Sequence, residues 1–435
     1  MKNMFIKNGI LINAEESRKA DLLVHDGKIV ETGTIAAGEL PENGRVIDAE
    51  GCRILPGGID PHVHLSLPTP AGNSSDDFLS GSRAALAGGT TTLFDFVTPR
   101  RGQSLHEALV ERRLESERSR CPCHLHMGIS EWNNEIAKEI VPLIESQGIT
   151  SFKAYLAYQE TIGITPSALK ELMTIVAPTG ATVMVHCEDG DMISKLCKIL
   201  LSECKTRPFY HAIARMAETE TGAISTVLEL SVQTSCPVYI VHVSTGEGAR
   251  LISAAKQSGI KVFAETCPHY LLLDDSRYGA EIPDREVLPC IMSPPLRTTE
   301  DQSALWKGLN DGTFDVVATD HCPFNTYGQK DIGLKDFTRI PNGVGGIEYR
   351  TRLLYTYGVL QGRISLEKMV YLTSSRPAEI FGLSHSKGRL APGFDADIVL
   401  LNPDFEEIIS TKNQVQKCDS NIYEGMTLRG RITIL

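Results

Sequence analysis

The pattern of apolar and polar positions changes rhythm near residue 56. Before it, short β-type runs at Phe5 to Asn13, Asp21 to His25, Lys28 to Glu31 and Arg45 to Asp48 alternate with the turn pairs Asn8-Gly9, Asp26-Gly27 and Asn43-Gly44. Beyond Pro56, an apolar strand-length run followed by a longer segment with helical spacing recurs many times. The strand-length runs are Leu55 to Asp60, Thr91 to Val97, His124 to Ile129, Ser151 to Ala157, Ala181 to Cys187, Val238 to Val243, Lys261 to Thr266 and Asp315 to Thr319. Helical spacing marks Leu105 to Glu117, Asn134 to Ser146, Pro166 to Val176 and Glu247 to Gln257. Strands alternating with helices in this way predict an α/β fold, a parallel (β/α)8 TIM-like barrel, with an open doubly wound sheet as the alternative.

After Gly388 the sequence returns to β type, with Asp397 to Leu401, a Pro turn, and Arg431 to Leu435. Neither terminal piece buries enough apolar surface by itself, so the two are expected to combine. The expected organisation is residues 1–55 and 386–435 as a small β-sandwich domain and residues 56–385 as the barrel.

Ligand-type residues fall at or just beyond the expected strand ends: His62 and His64, then Lys153, His186, His242 and Asp320. His62 and His64 are two apart and share a face of one strand, which points both imidazoles one way. A bare His-x-His is more often a polar pair in a turn than a metal motif, and His186 or His242 alone would read as a satisfied core histidine. Converging on one barrel mouth, however, they would be several buried polar groups in need of partners. Nitrogen and oxygen donors in an open arrangement suit catalytic zinc better than a closed sulfur site. Lys153 sits in the apolar, aromatic stretch Ser151 to Tyr158. A lysine beside cations must point away, be neutral, or be converted chemically into an anion.

Composition narrows the classes. A chain of 435 residues, 42% hydrophobic and 22% charged, is long and apolar enough for one large and one small domain, not for disorder. The net charge of −11 is spread along the chain without a basic block, which argues against nucleic acid or an anionic membrane as partner. Eleven cysteines without a Cys-x-x-Cys pair read as thiols of a reducing compartment. No apolar stretch has signal-peptide or membrane-span length, and a cytoplasmic location is expected.

Together, Gly57 to His64, Ser151 to Tyr158, Val185-His186, Val241 to Ser244, Glu265 to Tyr270, Ser293 to Arg297 and Ala318 to Phe324 resemble the dihydropyrimidinase and hydantoinase branch of the cyclic amidohydrolases. Gly388 to Asp397 resembles that superfamily's return into its small β domain. The resemblance implies a Lys153 carboxylated by carbon dioxide (N6-carboxylysine), its carbamate bridging two zinc ions. It further implies His62, His64 and Asp320 on the more buried ion, His186 and His242 on the more exposed one, and a hydroxide between them. Asp320 would act as general base and acid, Tyr158 as substrate-binding donor to the developing oxyanion, and the backbone of Ser293 and Asn342 as readers of the imide edge. His269 and His321 are assigned supporting work.

The implied substrate is a small cyclic amide or imide, and a homo-oligomer, dimer or tetramer, is implied with it. The loops Ser66 to Ser75, Thr98 to Gln103 and Gln159 to Gly163 are expected to overhang the pocket and select the exocyclic substituent. Dihydroorotase-like relatives tend to carry an arginine just after the His-x-His, where this chain has Leu65 and Ser66. Allantoinase-like relatives generally lack the tyrosine matching Tyr158, and non-catalytic scaffold relatives have lost metal ligands that are all present here. The sequence ends at Leu435, where family members usually continue, so an abbreviated small domain is expected.

Overall fold

Strands buried on both faces need near-continuous apolar sequence, and the barrel strands meet that requirement: β8, β11 and β14 below have no exposed residue. The computed structural model describes residues 3–35 and 44–435. Asn43 of the expected Asn43-Gly44 turn lies outside them.

In chain order the strands are β1 (Asn3–Lys7), β2 (Ile10–Ile12), β3 (Ser17–Lys19), β4 (Asp21–His25), β5 (Lys28–Gly33), β6 (Arg45–Asp48) and β7 (Arg53–Pro56). There follow β8 (Gly58–Val63), the short hairpin β9 (Pro68–Thr69) and β10 (Gly72–Asn73), β11 (Thr90–Val97), β12 (Cys123–Gly128) and β13 (Ser151–Tyr155). The series continues with β14 (Thr182–His186), β15 (Val238–Ile240), β16 (Val262–Thr266), β17 (Val316–Val317), β18 (Ile398–Ile408) and β19 (Thr427–Ile434). Eight of these form one parallel sheet in the order β8-β11-β12-β13-β14-β15-β16-β17, with helices between successive strands, the (β/α)8 barrel. Several helices begin where a side chain accepts from an otherwise unpaired N–H, as Asp77, Thr165 and Thr245 do. A second assembly pairs a four-stranded sheet, β5-β4-β1-β6, with a five-stranded one, β19-β18-β7-β2-β3. Its separate core includes Ile6, Leu11, Leu22, Ile54, Ile398 and Leu400, drawn from both ends of the chain.

Two expectations change in detail. Leu55 lies in β7, which pairs with β2 and β18, and the first barrel strand starts only at Gly58. The chain crosses between assemblies at Gly57, where an added Cβ would lie 2.0 Å from Thr91 Oγ1, so the crossing is too tight for a side chain. The second change concerns Pro403, which does not end its strand. β18 runs on to Ile408, and Pro403 sits in the register shift between Asn402 and Glu406, where no ladder N–H is required of it.

The barrel closes on few backbone contacts. Val63 bridges His321, and His64 N–H donates to the His321 carbonyl at 2.9 Å. Below this, buried side chains fill the seam between β8 and β17. Arg350 Nη1 donates to Ile59 O at 2.9 Å and Val317 O at 3.2 Å, and Nη2 donates to Thr90 Oγ1 at 2.9 Å. Asp60 accepts from Thr319 N at 3.2 Å and Thr319 Oγ1 at 2.6 Å, and lies 3.7 Å from Arg350. Residues 411–424 leave the second assembly and return to the barrel, where Lys417 N–H donates to Asp76 and Gln416 N–H to Glu348. No helix among the described residues is long and apolar enough to cross a membrane.

Arg350→Met keeps an unbranched apolar stem but strands two carbonyls and a buried carboxylate. It is expected to destabilise the chain by about 3 kcal/mol and to lower the thermal midpoint by about 5 °C, as read by circular dichroism.

Candidate active site

The floor of the site is aromatic. Phe96, on β11, stacks on His64 with ring centroids 4.8 Å apart and meets His62 at 4.9 Å. Further into the barrel Phe94, Met184, Tyr239, Val316 and Phe381 close off the interior, so whatever the side chains above hold is held at the mouth. Asp95 fixes the turn after the His-x-His: its carboxylate accepts Leu65 N–H at 2.7 Å and Arg112 Nε at 2.9 Å, while Arg112 also donates to Leu65 O.

Above this floor the residues singled out in the sequence converge. His62 Nε2 and His64 Nε2 lie 3.2 Å apart, and Asp320 Oδ1 lies 3.1 Å from the first and 3.3 Å from the second. These three ligand atoms all fall within 4.8 Å of one another. His186 Nδ1 and His242 Nε2 form a second facing pair at 2.9 Å, and the rings of His62 and His242 are 5.5 Å apart. Lys153 Nζ is buried without a hydrogen-bond partner, 5.1 Å from the Phe96 ring centre and 5.0 Å from that of Tyr155.

Outer carboxylates fix which ring nitrogen is free. His62 Nδ1 is hydrogen-bonded to Glu265, which directs the Nε2 lone pair into the cluster. His186 Nε2 pairs with Glu188 at 2.8 Å, which likewise frees Nδ1. Glu265 also accepts His242 N–H at 3.1 Å and the Tyr239 hydroxyl at 2.8 Å, so one carboxylate steadies both histidine pairs. The facing nitrogens of each pair are close enough to share a proton or, with both lone pairs turned inward, to hold a cation, and with Asp320 Oδ1 beside His62 and His64 this donor set fits a metal.

Burial pushes the His64 imidazole down to about 4. Burial also opposes protonation of His62, but where no cation is bound Glu265 and Asp320 outweigh it and hold that imidazole up at about 9, so a proton on Nε2 then takes the place a metal would occupy. For Lys153, burial brings the amine down to about 8 against the pull of Glu265 and Asp320. A sizeable fraction of Lys153 is therefore a neutral nucleophile near pH 8.

Three of the site residues have left-handed backbone: φ is 60° at Tyr158, 40° at His242 and 49° at Asp320. Each follows the end of its strand, and the turn redirects its side chain toward the mouth at a conformational cost that functional sites commonly bear. Tyr158 Oη accepts from Asn342 Nδ2 at 3.4 Å. Ser293 and Asn342 line the same cavity of ≈ 710 Å³, together with Leu67 to Ala71, Thr98, Thr161 and Ile162 from the three expected loops. His321 is structural: Nδ1 accepts Gly346 N–H at 3.1 Å and Nε2 donates to Asp76 at 3.0 Å. His269 is buried beside Tyr270 and does not line the cavity.

Glu188, Glu265, Asp95 and Arg215 had no role in the sequence reading. A signal existed for the first two, since Glu188 follows His186 by two residues and Glu265 stands at the end of β16. Nothing comparable marks Arg215.

A family model described as the amidohydrolase family matches residues 53–432. The chain belongs to the amidohydrolase family. It is 40% identical to a D-hydantoinase of Geobacillus stearothermophilus over 98% of its own length and 89% of that protein. It is 38% identical to a D-phenylhydantoinase of Escherichia coli O1:K1 / APEC over 99% of its length and 92% of that protein. Among solved structures it superposes on a dihydropyrimidinase from Brevibacillus agri NCHU1002 with a TM-score of 0.96 at 37% identity, covering 100% of this chain and 93% of the other. Within the family this amidohydrolase is a hydrolase of carbon–nitrogen bonds in cyclic amides, of the hydantoinase and dihydropyrimidinase type.

Glu265→Gln keeps the shape but weakens the hold on His62. Affinity of the candidate site for a divalent metal, probed with added zinc against a chromogenic chelator, is expected to fall about 10- to 100-fold.

Proposed function

We propose that this amidohydrolase opens the ring of a dihydropyrimidine or a 5-substituted hydantoin to give an N-carbamoyl amino acid, with two zinc ions held by His62, His64, Lys153, His186, His242 and Asp320. The observation that carries the reading is Lys153: an amine at 0% exposure, without a hydrogen-bond partner, among four imidazoles and a carboxylate. Addition of its neutral Nζ to carbon dioxide, with loss of one proton, would make a carbamate. That conversion would turn a group that repels cations into an anionic ligand for them. His62, His64 and Asp320 would share one cation and His186 and His242 the other. Bound there, the pair supplies Lewis-acid activation of water and of the scissile carbonyl.

The protein groups do the rest. Asp320 accepts a proton from the attacking water as its oxygen bonds to the carbonyl carbon, then delivers that proton to the ring nitrogen as the C–N bond breaks. The Tyr158 phenol donates to the carbonyl oxygen as negative charge develops there. Backbone groups of Ser293 and Asn342 read the imide edge, which leaves the substituent to the loop residues Leu67 to Ala71, Thr98, Thr161 and Ile162 that line the cavity.

A panel of dihydrouracil, hydantoin, 5-phenylhydantoin, allantoin and dihydroorotate tests the substrate class. Turnover of the first three is expected to dominate, and turnover confined to allantoin or dihydroorotate overturns the reading. Lys153→Ala is expected to lose bound zinc and more than about 100-fold in activity, since even outer partners of metal ligands are worth 10- to 100-fold. Short carboxylic acids with added zinc should restore part of it. Wild-type turnover in that variant without additives refutes the carbamate role.

A further inference from the structure

Behind His186 and Tyr158 lies a buried charge arrangement that the reaction scheme above does not use. Arg215 is 7% exposed and follows the short helix Tyr210–Ala214. Its Nη1 donates to Glu188 Oε2 at 2.5 Å, and the same oxygen lies 2.8 Å from His186 Nε2. The guanidinium carbon also sits 5.1 Å from the centre of the Tyr158 ring, in cation–π range. One cation thus touches both a candidate metal ligand's carboxylate and the face of the candidate oxyanion donor. Arg215 is itself held, because its carbonyl accepts Arg297 Nη1 at 2.6 Å and Arg297 Nε donates to Ser244 Oγ at 3.1 Å.

The ring of Tyr158, unlike its backbone, has room for such a support. Its carbonyl is fixed by N–H groups of Thr161, Ile162 and Gly163 at 2.9, 3.1 and 2.8 Å, and a Cβ at Gly163 would lie 2.2 Å from Ala157 O. This anchors a left-handed residue, whereas its ring meets His186 at 5.5 Å and Tyr155 at 6.3 Å between centroids, and its hydroxyl has, among the described residues, only the long 3.4 Å contact from Asn342. The same short helix reaches the opposite wall. His211 Nε2 donates to Met292 O at 2.8 Å, next to Ser293, so residues 211–215 brace the loop beside the imide reader as well as the tyrosine.

We propose that Arg215 is a positioning residue that holds the Tyr158 ring, through its π face, in line with the carbonyl oxygen while Glu188 fixes the guanidinium from behind. The inference rests on the reading of Tyr158 as the oxyanion donor. It extends that reading by making the donor's aim depend on a residue that touches no substrate.

The test is a mutant cycle on zinc-loaded full-length protein, with hydantoin as substrate. Arg215→Met alone leaves the Glu188 carboxylate buried and unpaired, so the cycle is run in a Glu188→Gln background, in which the introduced amide carbonyl still accepts from His186 and zinc, held more weakly, is supplied at saturation. Relative to Glu188→Gln alone, adding Arg215→Met is expected to lower kcat on the order of 10- to 100-fold with KM changed less than about threefold, and adding Tyr158→Phe should behave alike. Combining all three substitutions should cause no loss beyond Glu188→Gln/Tyr158→Phe. Arg215→Lys, which keeps a cation near Glu188, should fall between wild type and the methionine variant. Losses that multiply in the combined variant, or a kcat in Arg215→Met/Glu188→Gln equal to that of Glu188→Gln alone, overturn the proposal while leaving the tyrosine's role standing. An unchanged kcat in Tyr158→Phe removes the donor role itself, and the positioning role with it.

Discussion

A lysine buried without an acceptor, beside four imidazoles and an aspartate, is the constraint around which this barrel mouth is arranged. An ammonium in such a place would be destabilised by desolvation, and the aromatic faces of Phe96 and Tyr155 offset only part of that. Burial lowers the amine's proton affinity, which eases the conflict by favouring its neutral form. Under the proposed carboxylation the lysine would supply negative charge instead, and inward-facing lone pairs of His62 and His186 would then serve a cation.

Those lone pairs are aimed by residues further out. Glu265 connects β16 to His62, to the backbone of His242 and to Tyr239, so a single carboxylate coordinates the two halves of the cluster. Glu188 does the same for His186 and ties it to Arg215. Such carboxylates keep each imidazole in one tautomer and one orientation, which a binding site for cations requires more strictly than a packed core does.

The mouth is also where the barrel is least regular. β17 has only two residues, and between β8 and β17 closure falls to one backbone bridge and a plug of Arg350, Asp60 and Thr319. Asp320 and His321 follow directly from that short strand, so the groups that close the barrel and the groups that face the cavity are chain neighbours. Left-handed backbone at Tyr158, His242 and Asp320 belongs to the same region. Rigid strands below and braced turns above let strained residues persist where a free loop would relax.

The sequence by itself determined the barrel, the pairing of its two ends into a second assembly and the six residues that meet at the mouth. It could do so because strand and helix periods are local, and because ligand-type side chains at successive strand ends must converge once the strands close. The switch of sheets at Gly57 and the passage of β18 through Pro403 were decided by tertiary contacts, the first by Thr91 and the second by a shift in pairing with β19. The roles of Arg350 and Arg215 were likewise illegible, since each acts on residues distant in the chain: Ile59 and Thr90 for one, Glu188 and Tyr158 for the other. Periodicity reports which face of an element is buried. What a buried charge will find there depends on which elements the fold brings alongside, and only the folded chain supplies that.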